Sequence, residues 1–153
     1  MSGYYRLPDK TREAEWFDSE GRRYIRSGDV GRLDADGFIV LGDRKKDMII
    51  TGGFNVYPSD IESVLLQHPQ VAECAVIGVP SEQWGETPVA YVVPRSGTQP
   101  TANELREWLN TRVGKTQRVA DLWLAERLPR SEIGKVLKRT LREQYLQSVT
   151  VTD

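Results

Sequence analysis

The chain has 153 residues and a formal net charge of −1, with 39% hydrophobic and 28% charged residues. This suits one soluble domain, or a small domain plus part of another, and argues against a general nucleic-acid or anionic-membrane binder, which carries a basic excess. A single cysteine, Cys74, and a single histidine, His68, leave no internal disulfide, no Cys/His zinc cluster and no Cys–His or Ser–His–Asp nucleophile, and no metal site is assigned. No run approaches the ~20 apolar residues of a membrane helix and no signal peptide opens the chain, so a reducing, cytoplasmic setting is expected.

Residues 1 to about 41 predict short β segments separated by tight turns. The opening Met1–Arg6 carries no start signal for helix or strand, and the expectation is that it begins inside a domain with an N-terminal part missing. Trp16-Phe17 runs into the turn Asp18-Ser19-Glu20-Gly21, and Tyr24-Ile25 leads to Ser27-Gly28-Asp29. Arg32-Leu33 and Phe38–Leu41 flank Asp34-Ala35-Asp36-Gly37, a hairpin loop with glycine in the left-handed position. A few short strands need a partner layer to close a core. Trp16, Phe17 and Phe38 are therefore expected to lie exposed, and the region to be disordered, to dimerise or to swap onto a neighbour.

Gly42–Glu62, GDRKKDMIITGGFNVYPSDIE, marks a boundary. A charged run is followed by Met48-Ile49-Ile50, the pair Gly52-Gly53 and a Pro-Ser-Asp helix start. Paired glycines suit either a hairpin turn or the close approach of another molecule. Beyond the boundary the pattern alternates helix and strand. A helix from Pro58 turns Ile61, Val64 and Leu65 inward and stops before Pro69. His68, at that helix end, suits a capping or surface role. Val71–Val79 is a nearly continuous apolar strand, fit for a buried central position. Val89–Val93 is a second strand. Thr101 and Glu104 form a capping box opening a helix with Leu105, Trp108 and Leu109 inward. Leu122–Leu124 is a third strand, and Ile133, Val136, Leu137, Leu141 and Tyr145 give a last amphipathic helix from about residue 133.

Three clusters can carry chemistry. Asp29, after Ser27-Gly28 at a strand exit, is placed to accept hydrogen bonds from a vicinal diol such as ribose; the same residues also make an ordinary Asx turn. Arg44, in Asp43-Arg44-Lys45-Lys46-Asp47, offers a planar fork to phosphate or ribose-phosphate oxygens; the alternative is a solvated charged turn. Lys135, after Gly134 in LPRSEIGK, sits near the start of the last helix, where a cation opposes the helix dipole; after a flexible glycine it can reach an anion transiently.

Taken together and in this order, the clusters resemble the adenylate-forming superfamily of acyl-CoA synthetases, luciferases and peptide-synthetase adenylation domains. The resemblance runs from Gly3 to the final helix and matches the C-terminal part of such enzymes. YIRSGDVG is similar to the family's ribose-binding motif. GDRKKDMIITGGFNVYPSDIE is similar to its hinge motif, in the form closest to fatty acyl-CoA ligases. LPRSEIGKVLKR is similar to the final motif with the adenylation lysine. Two departures are Ile133, where the family has Thr or a small polar residue, and Ser27, where Thr is usual.

The resemblance implies an α+β fold: short β segments from the end of a large N-terminal AMP-binding domain (1–43), a hinge (44–47), and a small C-terminal lid domain (48–148) with a three-stranded sheet flanked by helices. It implies a ligase that activates a carboxylic acid, expected to be a fatty acid, with ATP and passes the acyl group to coenzyme A by domain alternation. Asp29 would bind the ribose hydroxyls and Arg44 the ribose and phosphate region. Lys46 would be the hinge residue, Gly52 and Gly53 would line the coenzyme A tunnel, and Lys135 would serve adenylation. ATP/AMP, Mg2+ and coenzyme A belong to the full-length enzyme, with none bound by this chain alone, and the missing AMP-binding domain is its partner. The chain has neither the Ser/Thr/Gly-rich phosphate loop nor a Gly-x-x-x-x-Gly-Lys motif, so alone it is expected to be inactive. The alternative is a non-catalytic, stand-alone lid-like module that binds a partner protein or a nucleotide.

Overall fold

A computed structural model describes residues 3–150; Met1 and Ser2, where the expected mid-domain opening starts, lie outside them. The chain divides into two compact units, and the boundary falls between Lys46 and Asp47.

The first unit is a short helix and two hairpins. Helix α1 spans Pro8–Ala14. It was not expected, because it buries no residue and so shows no apolar period. Its signals are local. Pro8 presets φ at the first helical position, and Asp9 sits in the first turn, favourable for the helix dipole, and pairs with Arg12. Strands β1 (Glu15–Phe17) and β2 (Arg23–Ile25) pair antiparallel. The Asp18 carboxylate closes their turn by accepting from the N–H groups of Glu20 (3.0 Å) and Arg22 (2.8 Å). Strands β3 (Asp29–Leu33) and β4 (Ile39–Arg44) form the second hairpin, with Gly37 left-handed at φ +84° as its sequence requires. No described residue of this unit is buried. Leu33, Phe38, Ile39 and Leu41 stand open to solvent.

The second unit is an α+β sandwich. Strands β5 (Ile49–Thr51) and β6 (Phe54–Val56) make a hairpin; helix α2 spans Pro58–Leu65. Strands β7 (Val71–Ser81) and β8 (Gly85–Pro94) form a long antiparallel pair. Helix α3 (Ala102–Asn110), strand β9 (Asp121–Leu124) and helix α4 (Lys138–Thr150) complete it. The sheet order is β6-β5-β8-β7, with β9 parallel to β8. The mixed architecture is as expected, but the sheet has five strands rather than three. Strands β5 and β6 are three residues each, too short to show a period of two.

Alternation along β7 and β8 sends side chains into two apolar layers. Val71, Val76, Ala90 and Val92 pack with Ile61 and Leu65 of α2 and Leu105 and Leu109 of α3. Ala75, Ile77, Val79, Val89 and Tyr91 pack with Leu128 and with Leu141 of α4. This corrects the central position expected for Val71–Val79. Strand β7 lies at the sheet edge and β8 is central. Its run is apolar because α2 covers one face and α4 the other.

The expected helix caps and stops are present. Thr101 Oγ1 accepts from Glu104 N–H while the Glu104 carboxylate accepts from Thr101 N–H. His68 N–H donates to Leu65 O at the end of α2, and its ring meets Trp108 edge-on at 4.8 Å. The last helix differs: it begins at Lys138, not near Ile133, which is 78% exposed. Gly134 takes φ +80° and Arg130 bridges Val136, so the chain folds back before α4 can start. No helix among the described residues is long and apolar enough to cross a membrane.

Candidate functional site

The singled-out residues fall into both units. Asp29, Arg44 and Lys46 belong to the first; Gly52, Gly53 and Lys135 belong to the second.

In the first unit the β3–β4 register sets Asp29 directly opposite Arg44. Arg44 Nε lies 3.4 Å from Asp29 Oδ1, and both side chains are partly exposed. Gly28, at φ +80°, turns the chain into β3. Its carbonyl accepts from Lys45 N–H (2.9 Å), and Ser27 Oγ accepts from Asp29 N–H (3.2 Å). These bonds frame an open recess of about 460 Å³ lined by Ser27, Gly28, Arg44, Lys45 and Lys46. A carboxylate and a guanidinium side by side can meet a diol and an anion on one ligand. As an ion pair in water they hold each other by only about 0–1 kcal/mol, so a ligand separates them cheaply. Lys46 is exposed, within the 3-10 turn Lys45–Asp47.

In the second unit Gly52 and Gly53 are the two central residues of the β5–β6 turn, at φ +57° and +82°. The hairpin reading of this pair is therefore realised. Gly52 N–H donates to Trp84 O at 2.8 Å, and a β-carbon on Gly52 would lie 2.9 Å from the Trp84 ring. Beside the hairpin is a cavity of about 550 Å³, lined among others by Thr51, Phe54, Trp84, Lys115 and Arg118. Thr51 Oγ1 is buried there without a hydrogen-bond partner among the described residues. Aromatic walls, an unused hydroxyl and two cations suit a ligand with an apolar body and an anionic group. Sequence reading missed this cavity, since its lining comes from three separated segments.

Lys135 stands outside α4, three residues before Lys138, so the expected conflict with the helix dipole does not arise. It ends a tight turn. Ser131 N–H donates to Lys135 O (2.8 Å) and Gly134 N–H to Ser131 O (2.9 Å). Ser131 Oγ accepts from Lys135 N–H (3.2 Å). The Lys135 side chain is exposed, with no hydrogen bond or ion pair among the described residues. Lys138 is held differently: its ammonium lies 2.7 Å from Glu62 Oε1, which also accepts from Val76 N–H, so this cation ties α4 to α2 and β7. Among the described residues no group of three His, Cys, Asp or Glu side chains could hold a metal ion.

Comparison with known proteins is consistent across sequence and structure. The model of the AMP-binding enzyme C-terminal domain matches residues 60–135. The long-chain-fatty-acid–CoA ligase FadD13 of Mycobacterium tuberculosis is 42% identical over 149 residues, which are 97% of this chain and 28% of that protein. A feruloyl-CoA synthase of Amycolatopsis is 40% identical over 95% of this chain and 28% of its own length. Among solved structures, ATP-bound MatB from Rhodopseudomonas palustris is similar with a TM-score of 0.83 at 39% identity, over 94% of this chain and 28% of that one. The chain thus spans little more than a quarter of the length of the curated relatives it matches.

Proposed function

The chain belongs to the AMP-binding enzymes, whose C-terminal domain it carries, and from that premise we propose that it is the C-terminal portion of an acyl-CoA synthetase. In this reading residues 1–43 end the large nucleotide-binding domain, 44–47 are the hinge with Lys46 at its pivot, and 48–148 are the lid. The whole enzyme activates a carboxylic acid, by its likeness to FadD13 a fatty acid, and works in the cytoplasm.

The reaction has two halves. The carboxylate of the acid attacks the α-phosphorus of ATP, forming an acyl-adenylate and releasing pyrophosphate. The thiol of coenzyme A then attacks the acyl carbonyl, gives up its proton and releases AMP. Asp29 accepts hydrogen bonds from the ribose hydroxyls, and Arg44 neutralises charge on the ribose-phosphate side. Lys135 stabilises the charge that develops on the α-phosphoryl oxygens, an interaction worth roughly 3 kcal/mol or more when it is made only in the transition state. In the second half the lid turns, Lys135 leaves, and the Gly52-Gly53 hairpin lines the approach of coenzyme A. The cavity beside Trp84, with Lys115 and Arg118, supports this face as the one that meets an anionic thiol carrier. The described residues offer no cluster for Mg2+, which would enter with the phosphates of ATP on the large domain.

The observation that carries the reading is Lys135 itself: an exposed ammonium, unpaired among the described residues, on a hydrogen-bonded turn of the second unit. The test uses the chain joined to its large domain. Lys135→Ala is expected to lower pyrophosphate release on the order of 10²–10³-fold while leaving thioester formation from a preformed acyl-adenylate intact. Equal loss in both halves would overturn the assignment, as would clear pyrophosphate release by this chain alone.

A further inference from the structure

The turn that presents Lys135 buries little of itself. Glu132, Ile133, Gly134 and Lys135 are all exposed. Its internal hydrogen bonds fix its shape, and one side chain at its base ties it to the sheet. Arg130 Nη1 donates to Gly134 O at 2.6 Å, and Arg130 Nη2 donates to Glu73 Oε2 of β7 at 2.5 Å. Glu73 and Arg130 are separated by 57 positions in the chain.

Gly134 O and Lys135 N–H belong to the same planar peptide group. Arg130 holds the carbonyl side of that plane, and Ser131 Oγ holds the N–H side. With that plane pinned at both ends and the next one held by Ser131 N–H on the Lys135 carbonyl (2.8 Å), the direction in which the Lys135 Cα–Cβ bond leaves the backbone is set. Without the carbonyl contact the plane gains freedom, because Gly134, at φ +80°, has no β-carbon to restrict its rotation. The Lys135 stem has three further rotatable bonds between Cβ and Cε, so an error in the first is carried to the ammonium.

We propose that Arg130, oriented by Glu73, is a positioning residue that aims Lys135 for the adenylation half-reaction. The proposal rests on the reading of Lys135 as the cation of that step. Glu73 and Arg130 are each nearly half exposed, so their pair contributes little to folding stability. The effect of removing it is therefore expected in catalysis and not in the melting temperature. Rate depends steeply on such placement: an error of about 1 Å can cost on the order of a hundredfold.

The experiment uses the chain joined to its large domain and follows each half-reaction separately. Arg130→Ala is expected to lower kcat of pyrophosphate release by roughly ten- to a hundredfold, with KM for ATP and acid little changed. Thioester formation from preformed acyl-adenylate and the melting temperature should stay at wild-type values. Arg130→Lys, which can restore one of the two contacts, should recover part of the loss. Glu73→Gln should give a smaller loss that adds nothing to Arg130→Ala, since both act through one contact. Lys135→Ala is measured beside them. If Lys135→Ala leaves pyrophosphate release unchanged, the reading of that lysine falls and this proposal with it. If Lys135→Ala abolishes the step and Arg130→Ala does not reduce it, or reduces both halves alike, the positioning role alone is overturned.

Discussion

The thiol of Cys74 shows how one residue reports the packing around it. It sits half-buried on β7, its S–H donating to Glu62 O at 3.6 Å. Burial, then the negative charge of Glu62, push its pKa up from an ordinary 9.0 to about 12, with Lys138 partly opposing. Above pH 9 the unfolded chain gives up this proton while the folded chain keeps it. The contribution to stability is therefore complete below about pH 9 and is lost as the pH climbs toward 12, at a rate of at most about 1.4 kcal/mol per pH unit. Tyr91, raised to about 12 chiefly by burial, adds a loss of the same sign. Urea melts at pH 8, 9 and 10 should show wild-type stability falling more steeply than that of Cys74→Val. Parallel curves for the two proteins would show that this thiol is not held neutral by the fold.

At the scale of elements, the β5–β6 hairpin depends on a contact that no local pattern encodes. Ala at position 53 meets open space and bears only the strain of φ +82°, about 1 kcal/mol. Ala at position 52 bears similar strain at φ +57° and also drives its β-carbon into the Trp84 ring, an overpacking worth roughly 1–3 kcal/mol more. Denaturant unfolding should rank Gly52→Ala well below Gly53→Ala. Trp84→Ala should make the two glycine substitutions nearly equal; a gap that persists would remove Trp84 as its cause. What was legible from the sequence divides along the same line. The capping box of α3, the turn at Gly37 and the end of α2 are written in neighbouring residues, so they could be read. Asp29, Arg44 and Lys135 were legible as motif residues, and the Asp29–Arg44 pairing follows from a hairpin whose loop was visible. Helix α1 buries nothing and β5 is three residues long, so neither carries a period. Strand β7 looked central because two helices cover it. Ile133, Val136 and Leu137 have helical spacing, yet the left-handed Gly134 between them keeps that segment out of α4. The contacts of Trp84 with Gly52 and of Arg130 with Glu73 join distant segments, and nothing in either segment alone announces them.

For the whole molecule, the contrast between the two units is the main physical fact. The second has apolar layers on both faces of its sheet, the layered core around which a domain is built. The first has two hairpins and a short helix with no buried residue among those described. Isolated two-stranded hairpins are at best marginally stable in water. Trp16, Phe17, Phe38, Ile39 and Leu41 leave it with an apolar surface of the kind that marks an interface. If the large domain of the proposed enzyme covers that surface, hydrogen exchange separates the units. Amides of β1 to β4 in the chain alone should exchange orders of magnitude faster than those of β7 and β8, because local opening there uncovers almost no apolar area. Adding the large domain should slow exchange in β1 to β4 and leave β7 and β8 unchanged. Raising the concentration of the chain alone separates the remaining possibility: protection that grows with concentration, together with a doubled mass in light scattering, would mean that a second copy covers the same surface. Protection of β1 to β4 in a dilute monomer as strong as that of β7 and β8 would defeat the idea, since hairpins that are stable alone need no covering domain.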